Sequence, residues 1–445
     1  MLAVFAVLIV VSILLTASFL VKIQKKNKLE KAIIHLKSEE YEEALKLLME
    51  LYTRDPGNKL YNWYMGLCHE NMKNYELALV EYNKAAMSTV FKPPLNEASV
   101  HERIALINLQ IGNVKNAEQE FRIVVTLNPL HSGAFYYLGI IARNNNQYQE
   151  ALNYFRNAIK IKKDFTEAYL ELGKINYLLN HYDSAKKALM EALGNDPSLS
   201  EAHFYHALVL EKERNFNSAI EQFQYALRDD RYKFDSYVHL GSVYTELSNH
   251  AKAFECFEKA LQIGTTDDKK LAEVKYTYAN YLVAAGEIKK ALQLWKEVNE
   301  LYPNYKDTVT KLEVYGEVSK SENLTRLLAS SKQDYLDTGM KLCKILSINV
   351  ERYTFGKENF VEFVGSRRIG AGEVACIVHF ARWTNQVGEL PIRELIERMN
   401  EEGAARGVFI TTSGFSAKAQ KQANIRPIEL IGKEKLETML SVVYE

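Results

Sequence analysis

The chain has 445 residues, enough for two or three domains with ordinary cores. Its 56 lysines and arginines balance 56 aspartates and glutamates, so net charge makes no electrostatic case for nucleic acid or for an acidic partner. The four cysteines (Cys68, Cys256, Cys343, Cys376) form no CxxC pair, which argues against a zinc site or disulfide framework and fits a reducing compartment; neither metal nor cofactor is expected.

The first 21 residues, MLAVFAVLIVVSILLTASFLV, carry no charged side chain, and Lys22, Lys25, Lys26 and Lys28 follow directly. About 20 apolar residues span a bilayer as a helix. A cleaved signal peptide carries its charge before the apolar run, and a segment apolar on every face at the chain end fits a membrane span better than the alternative of a buried core helix. The expectation is a transmembrane helix over 1–22. The positive-inside rule then predicts a single-pass protein of a bacterial-type inner (cytoplasmic) membrane, with the bulk of the chain in the cytoplasm.

A period follows. Segments such as YEEALKLLMELYTRDP, YQEALNYFRNAIKIKK and IKKALQLWKEVNELYP each hold one marker alanine: Ala44, Ala78, Ala117, Ala151, Ala185, Ala219, Ala253 and Ala291. From Ala117 to Ala253 the steps are a constant 34 residues. Loop insertions are expected near 89–96 and 264–269. A small residue (Gly139, Gly173, Ala207, Gly241) stands twelve before the alanine and lets helix A approach helix B. A bulky one four after it (Phe121, Phe155, Phe223, Phe257, Trp295) is expected to fill the gap to the next repeat, since i and i+4 share a helix face. Pro56, Pro129, Pro197 and Pro303 end the second helices, having no N–H to continue the ladder. These residues resemble the tetratricopeptide repeat family, with about eight copies over 25–304. The resemblance implies an α-solenoid superhelix whose concave surface, lined by the first helices, binds a protein segment. Groove-facing candidates are Arg143, Asn144, Lys174, Tyr177, Glu211 and Lys212, with Thr245 beyond them. Their mixed signs select neither an acidic nor a basic peptide.

Residues 305–332 read as a capping helix and linker, with SKSEN (319–323) as the short link. From 333 to 445 helix and strand alternate. QDYLDTGMKLCKILSI reads as a helix, NVERYTF, NFVEFVGSR and VACIVHFARW as strands, LPIRELIERMNEE as a helix, RGVFITTS as a strand, SAKAQKQA as a helix, PIELIG as a strand and KEKLETMLSVV as a helix. A small α/β domain with a mixed sheet is expected.

The strings QVGELPIRELIERM, ARGVFITTSGFSAKAQKQA and IELIGKEKLETML, in that order, resemble the Mrr-type restriction endonuclease domain of the PD-(D/E)xK nuclease superfamily. That resemblance implies an acidic residue on the second strand for Mg²⁺, then Glu or Gln, one residue and Lys on the third. In this sequence the glutamine position falls on His379 and the lysine position on Ala381. Arg382 is next door but should point to the opposite face. Glu362 and Glu373 are the nearest carboxylates, and neither matches the pattern cleanly. The fold is therefore expected to persist and the cutting chemistry to be lost, with Glu362, His379 and Arg382 the candidates for a degenerate site. Arg367, Arg368, Arg382, Arg393, Lys418, Lys421 and Arg426 are candidates for phosphate contact, although acidic residues are about as numerous in this domain.

The whole chain is thus read as mainly α: one transmembrane helix, a tetratricopeptide solenoid and a small restriction-endonuclease-like α/β domain. As a function this is a membrane-anchored scaffold for partner proteins. The alternatives are an Mg²⁺-dependent endonuclease with a migrated site, or a DNA-binding protein tethered to the membrane.

Overall fold

A computed structural model describes residues 2–88, 90–91, 93–356, 360–369 and 372–445, apart from the side chains at 2–14, 16–18, 20–21, 317–318 and 369. The expected membrane span falls almost wholly on side chains outside that description. Among the described residues no helix is long and apolar enough to cross a membrane. The chain divides into two units, 1–226 and 227–445.

The first unit is entirely helical: α1 (Leu2–Lys37), α2 (Tyr41–Arg54), α3 (Lys59–Asn71), α4 (Tyr75–Ala86), α5 (Glu97–Gln110), α6 (Val114–Leu127), α7 (Ser132–Asn144), α8 (Tyr148–Ile161), α9 (Thr166–Leu178), α10 (Tyr182–Asn195), α11 (Ser200–Lys212) and α12 (Phe216–Ala226). Successive helices pack as antiparallel hairpins. The last turns of α1 form the first helix of the first hairpin: Leu29, Ala32 and Leu36 pack with Ala44, Leu48 and Met65. Lys25 pairs with Asp55 at 3.4 Å and Lys28 with Glu50, so two of the four flanking lysines are tied to α2 and the residue after it.

The marker alanines are fully buried. A Cβ on Gly139 would lie 2.7 Å from the Phe155 ring, and one on Gly173 would lie 2.6 Å from Leu189. The bulky side chain therefore seats first on the small residue of its own hairpin, a correction to the expected gap-filling toward the next repeat alone. Phe155 does both, since its cluster also takes in Ala168 and Ile175 of α9. The turn inside each hairpin repeats as well. Asn146, Asn180 and Arg214 sit at φ near +60°, and the next amides, Gln147, His181 and Asn215, donate to the carbonyls of Ala142, Asn176 and Leu210 at 2.8–2.9 Å. This left-handed C-cap satisfies carbonyls that the helix end leaves open.

The second unit begins with the same hairpins, α13 (Asp230–Glu246) with α14 (His250–Ile263) and α15 (Asp268–Ala284) with α16 (Ile288–Leu301), followed by α17 (Thr308–Val318) and α18 (Glu322–Ala329). Tyr315 of α17 lies against the Trp295 ring, 5.3 Å between centroids, and covers the last hairpin. The SKSEN stretch is not a free link. Ser321 caps α18, and Leu324 and Leu327 of that helix enter the core of the domain that follows.

That domain runs α19 (Lys332–Ile345), β1 (Ile348–Phe355), β2 (Phe360–Ile369), β3 (Gly372–Ala381), α20 (Glu389–Glu401), β4 (Arg406–Thr411), α21 (Ala417–Ala423), β5 (Ile428–Ile431) and α22 (Lys433–Tyr444). The sheet is mixed, in order β1-β2-β3-β4-β5, with the first two pairings antiparallel and the last two parallel. Period-two alternation splits its strands between two cores. Phe363, Val378 and Phe380 face α18, α19 and α22, while Ile377, Ala381 and Phe409 face α20 and α21.

Candidate functional site

Strand register places Glu362 of β2 directly opposite His379 of β3. Both are buried, and His379 Nε2 lies 3.0 Å from Glu362 Oε2. Helix α20 packs over this face and brings a third group. Arg398 Nη2 donates to Glu362 Oε1 at 2.8 Å and its Nε to Oε2 at 3.1 Å. Arg398 also bonds Glu401 and Glu402, and Glu402 pairs with Arg352 at 2.5 Å. The His379 hydrogen bond and then Arg398 hold the Glu362 carboxyl down to about 2, against the upward push of burial. The same carboxylates push the Arg398 guanidinium upward. Both Glu362 oxygens are committed within the protein.

Ala381, at the lysine position, is fully buried among Ile377, Ile392, Leu395 and Phe409. Arg382 leaves on the opposite face. Its guanidinium carbon lies 4.6 Å from the Tyr335 ring centroid and its Nη1 donates to the Ser330 carbonyl at 2.6 Å. Glu373 pairs across the strands with Arg368 rather than with the His379 row, and its Oε1 accepts from Ser366 at 3.0 Å. The six register steps between the two positions correspond to about 20 Å along the strand. Mg²⁺ takes several hard oxygen ligands in near-octahedral geometry. One carboxylate, already bonded to an imidazole and a guanidinium, does not fit it. Among the described residues no group of three or more His, Cys, Asp or Glu side chains is placed to hold a metal ion.

The Thr411–Gly414 turn is structural in its bonding. Thr412 Oγ1 donates to the Trp383 carbonyl and Ser413 Oγ to that of Asn385, each at 2.7 Å, tying the end of β4 to the loop after β3. Ser416, not Ser413, caps α21 by accepting from the Ala419 amide. Beside that loop is a cleft of 730 Å³ lined by Asn280, Tyr315, Ser330, Arg382, Trp383 and Asn385, among others.

The phosphate candidates do not form one face. Arg393 pairs with Glu389 on α20, Lys418 and Lys421 are carried by α21, and Arg368 is exposed on β2. Arg367 and Arg426 both line a second pocket of 430 Å³, which they share with Arg406.

Among the groove candidates, Arg143 of α7, Lys174 of α9 and their partners make a ladder. Glu171, buried on α9, accepts from Arg143 and, at 2.9 Å, from Lys174, and Lys174 reaches Glu201 of α11 at 2.6 Å. Asn144 accepts from Arg143 at 3.0 Å. Tyr177 packs against Tyr182 and Tyr205, and burial pushes its phenol up to about 12. Glu211 and Lys212 lie at the C-terminal end of α11.

Sequence reasoning missed Arg398, Glu171, Glu201 and Arg406. A cation on an acidic amphipathic helix looks like a solvated residue until the sheet register shows which carboxylate lies beneath it.

Known families and proteins match in parts. The restriction endonuclease family matches residues 334–440, and tetratricopeptide repeat families match 29–88 with 102–165, 142–208 and 232–304. The TPR repeat-containing protein YpiA of Bacillus subtilis is 29% identical over 195 residues, covering 43% of this chain and 45% of that protein. Protein O-mannosyl-transferase TMTC1 of Homo sapiens is 25% identical over 174 residues, 39% of this chain and 20% of that protein. The chain thus spans less than half the length of these curated relatives. Among solved structures, MamA aligns at 19% identity with a TM-score of 0.35, covering 40% of this chain and 94% of MamA. This chain carries a series of tetratricopeptide repeats followed by a C-terminal restriction-endonuclease-like domain.

Proposed function

We propose that the chain is a membrane-anchored scaffold: the repeats hold a protein segment, residues 1–22 anchor it, and the nuclease-like domain has given up cleavage for a structural or binding role. The observation that carries the last part is the pairing of a buried Ala381 with a Glu362 whose two oxygens are taken by His379 and Arg398. A phosphodiester would find there neither a lysine to stabilise developing charge nor a carboxylate open to a metal. Support for the scaffold reading comes from the repeats and from the ladder on α7, α9 and α11, where charged and tyrosine side chains are held in fixed positions that can read a peptide. The anchor reading rests on the uncharged first 21 residues, on the lysines after them and on their position at the head of α1.

The test is incubation of the full chain with supercoiled and linear DNA in Mg²⁺ or Mn²⁺, reading nicking and gel retardation together. No cleavage is expected. Cleavage abolished by Glu362→Ala or His379→Ala would instead establish a migrated endonuclease site, a reading for which the 3.0 Å Glu362–His379 bond is the one favourable observation. Retardation without cleavage would make the domain a DNA tether.

A further inference from the structure

We propose that the end of the sheet remote from Glu362 holds a binding site for a phosphate group. Arg367 of β2, Arg406 at the start of β4 and Arg426 before β5 line one pocket of 430 Å³, together with neighbours in 407–408 and 427–429. Pockets that take small ligands begin at about 300 Å³. Arg367 stands opposite Val374 and Arg406 beside Cys376. Arg367 and Arg406 thus come from the strands on either side of β3 and share one pocket lining. Arg426 is steadied by donating to Asn400 Oδ1 at 2.9 Å, a neutral partner that leaves its charge in place.

The one carboxylate in the lining is Glu429, already bonded to Lys435 at 2.5 Å and more loosely to Arg367 at 3.3 Å. The lining thus carries three arginines and one carboxylate, in a chain whose charges balance as a whole. Guanidinium forks match phosphate oxygens in geometry and charge. The Arg367–Val374 pair is five positions along the ladder from Glu362–His379, about 17 Å, so this is not the catalytic end of the fold.

The experiment is calorimetric titration of the full chain in detergent with inorganic phosphate, with adenosine monophosphate and with a short DNA duplex, at ionic strength held constant with chloride. One phosphate-dependent site is expected. Arg406→Ala should weaken it about tenfold or more, the loss expected for a hydrogen bond to a charged group. Glu429→Gln should tighten it, because the carboxylate competes for Arg367 and adds a negative charge to the lining. That opposite-sign response keeps the test decisive if an arginine variant folds poorly. Binding of the monophosphate identifies a free phosphate ester as the source. Arg406-dependent binding of the duplex alone identifies a nucleic-acid backbone. No phosphate response beyond chloride, or binding indifferent to both substitutions, overturns the proposal.

Discussion

Glu362 is the residue on which the nuclease-like domain turns. Its carboxyl sits below its ordinary value of 4.5, at about 2, so the unfolded chain binds that proton more readily than the native one. The stability it contributes is complete above about pH 4.5 and is lost as pH falls toward about 2. Glu362→Gln should flatten the acid-unfolding profile in that window and cost about 2 kcal/mol at neutral pH, the worth of hydrogen bonds to a charged group. A double-mutant cycle with Arg398→Ala in urea should show coupling between the two sites. Additive losses would mean that the bonds are incidental. Ala381→Lys tests the missing lysine. The new ammonium would enter the dry cluster of Ile377, Leu395 and Phe409, and a shift of about three pKa units corresponds to roughly 4 kcal/mol of destabilisation. We expect a lower urea midpoint and no DNA nicking. A stable variant that gains DNA cutting over the parent chain would show that a lysine at this position suffices for cleavage.

At the scale of elements, the hairpins are fitted by contact between one small and one large side chain. Gly139→Ala forces a methyl into the Phe155 ring and should cost about 1–3 kcal/mol, as overpacking does, seen as a lower melting temperature. The turn residues give the opposite case. Ser248 holds φ +57° on a solvated turn, a conformation that costs a residue with a Cβ about 1 kcal/mol. Ser248→Gly should therefore raise stability by about 0.5 kcal/mol, once the greater freedom of glycine in the unfolded chain is subtracted. The turn rule was not legible in the sequence, since Asn146, Asn180, Arg214 and Ser248 share spacing but not side-chain type. The hairpin packing was legible, because each small residue, alanine and ring recur in one short window.

For the whole molecule, α1 is continuous from Leu2 to Lys37 and its last turns are already part of the first hairpin. An anchor at its head would leave no flexible spacer before the repeats. Removing residues 1–21 should abolish sedimentation of the chain with phospholipid vesicles and leave its helical circular dichroism and urea midpoint unchanged. Unchanged sedimentation would reject the anchor.

The repeats, their phase and the order of helices and strands in the C-terminal domain were written in the sequence, because each depends on contacts within a hairpin or on periodicity within one element. The residue at the position where the resemblance implies a lysine was legible too, since Ala381 is an identity rather than a geometry. Tertiary structure alone decided what surrounds the remaining groups. Glu362, His379 and Arg398 come from two strands and a helix, and Arg367, Arg406 and Arg426 from separate parts of the sheet. Such charges interact only when strand register and helix packing bring them within a few ångströms, and no local pattern encodes that distance.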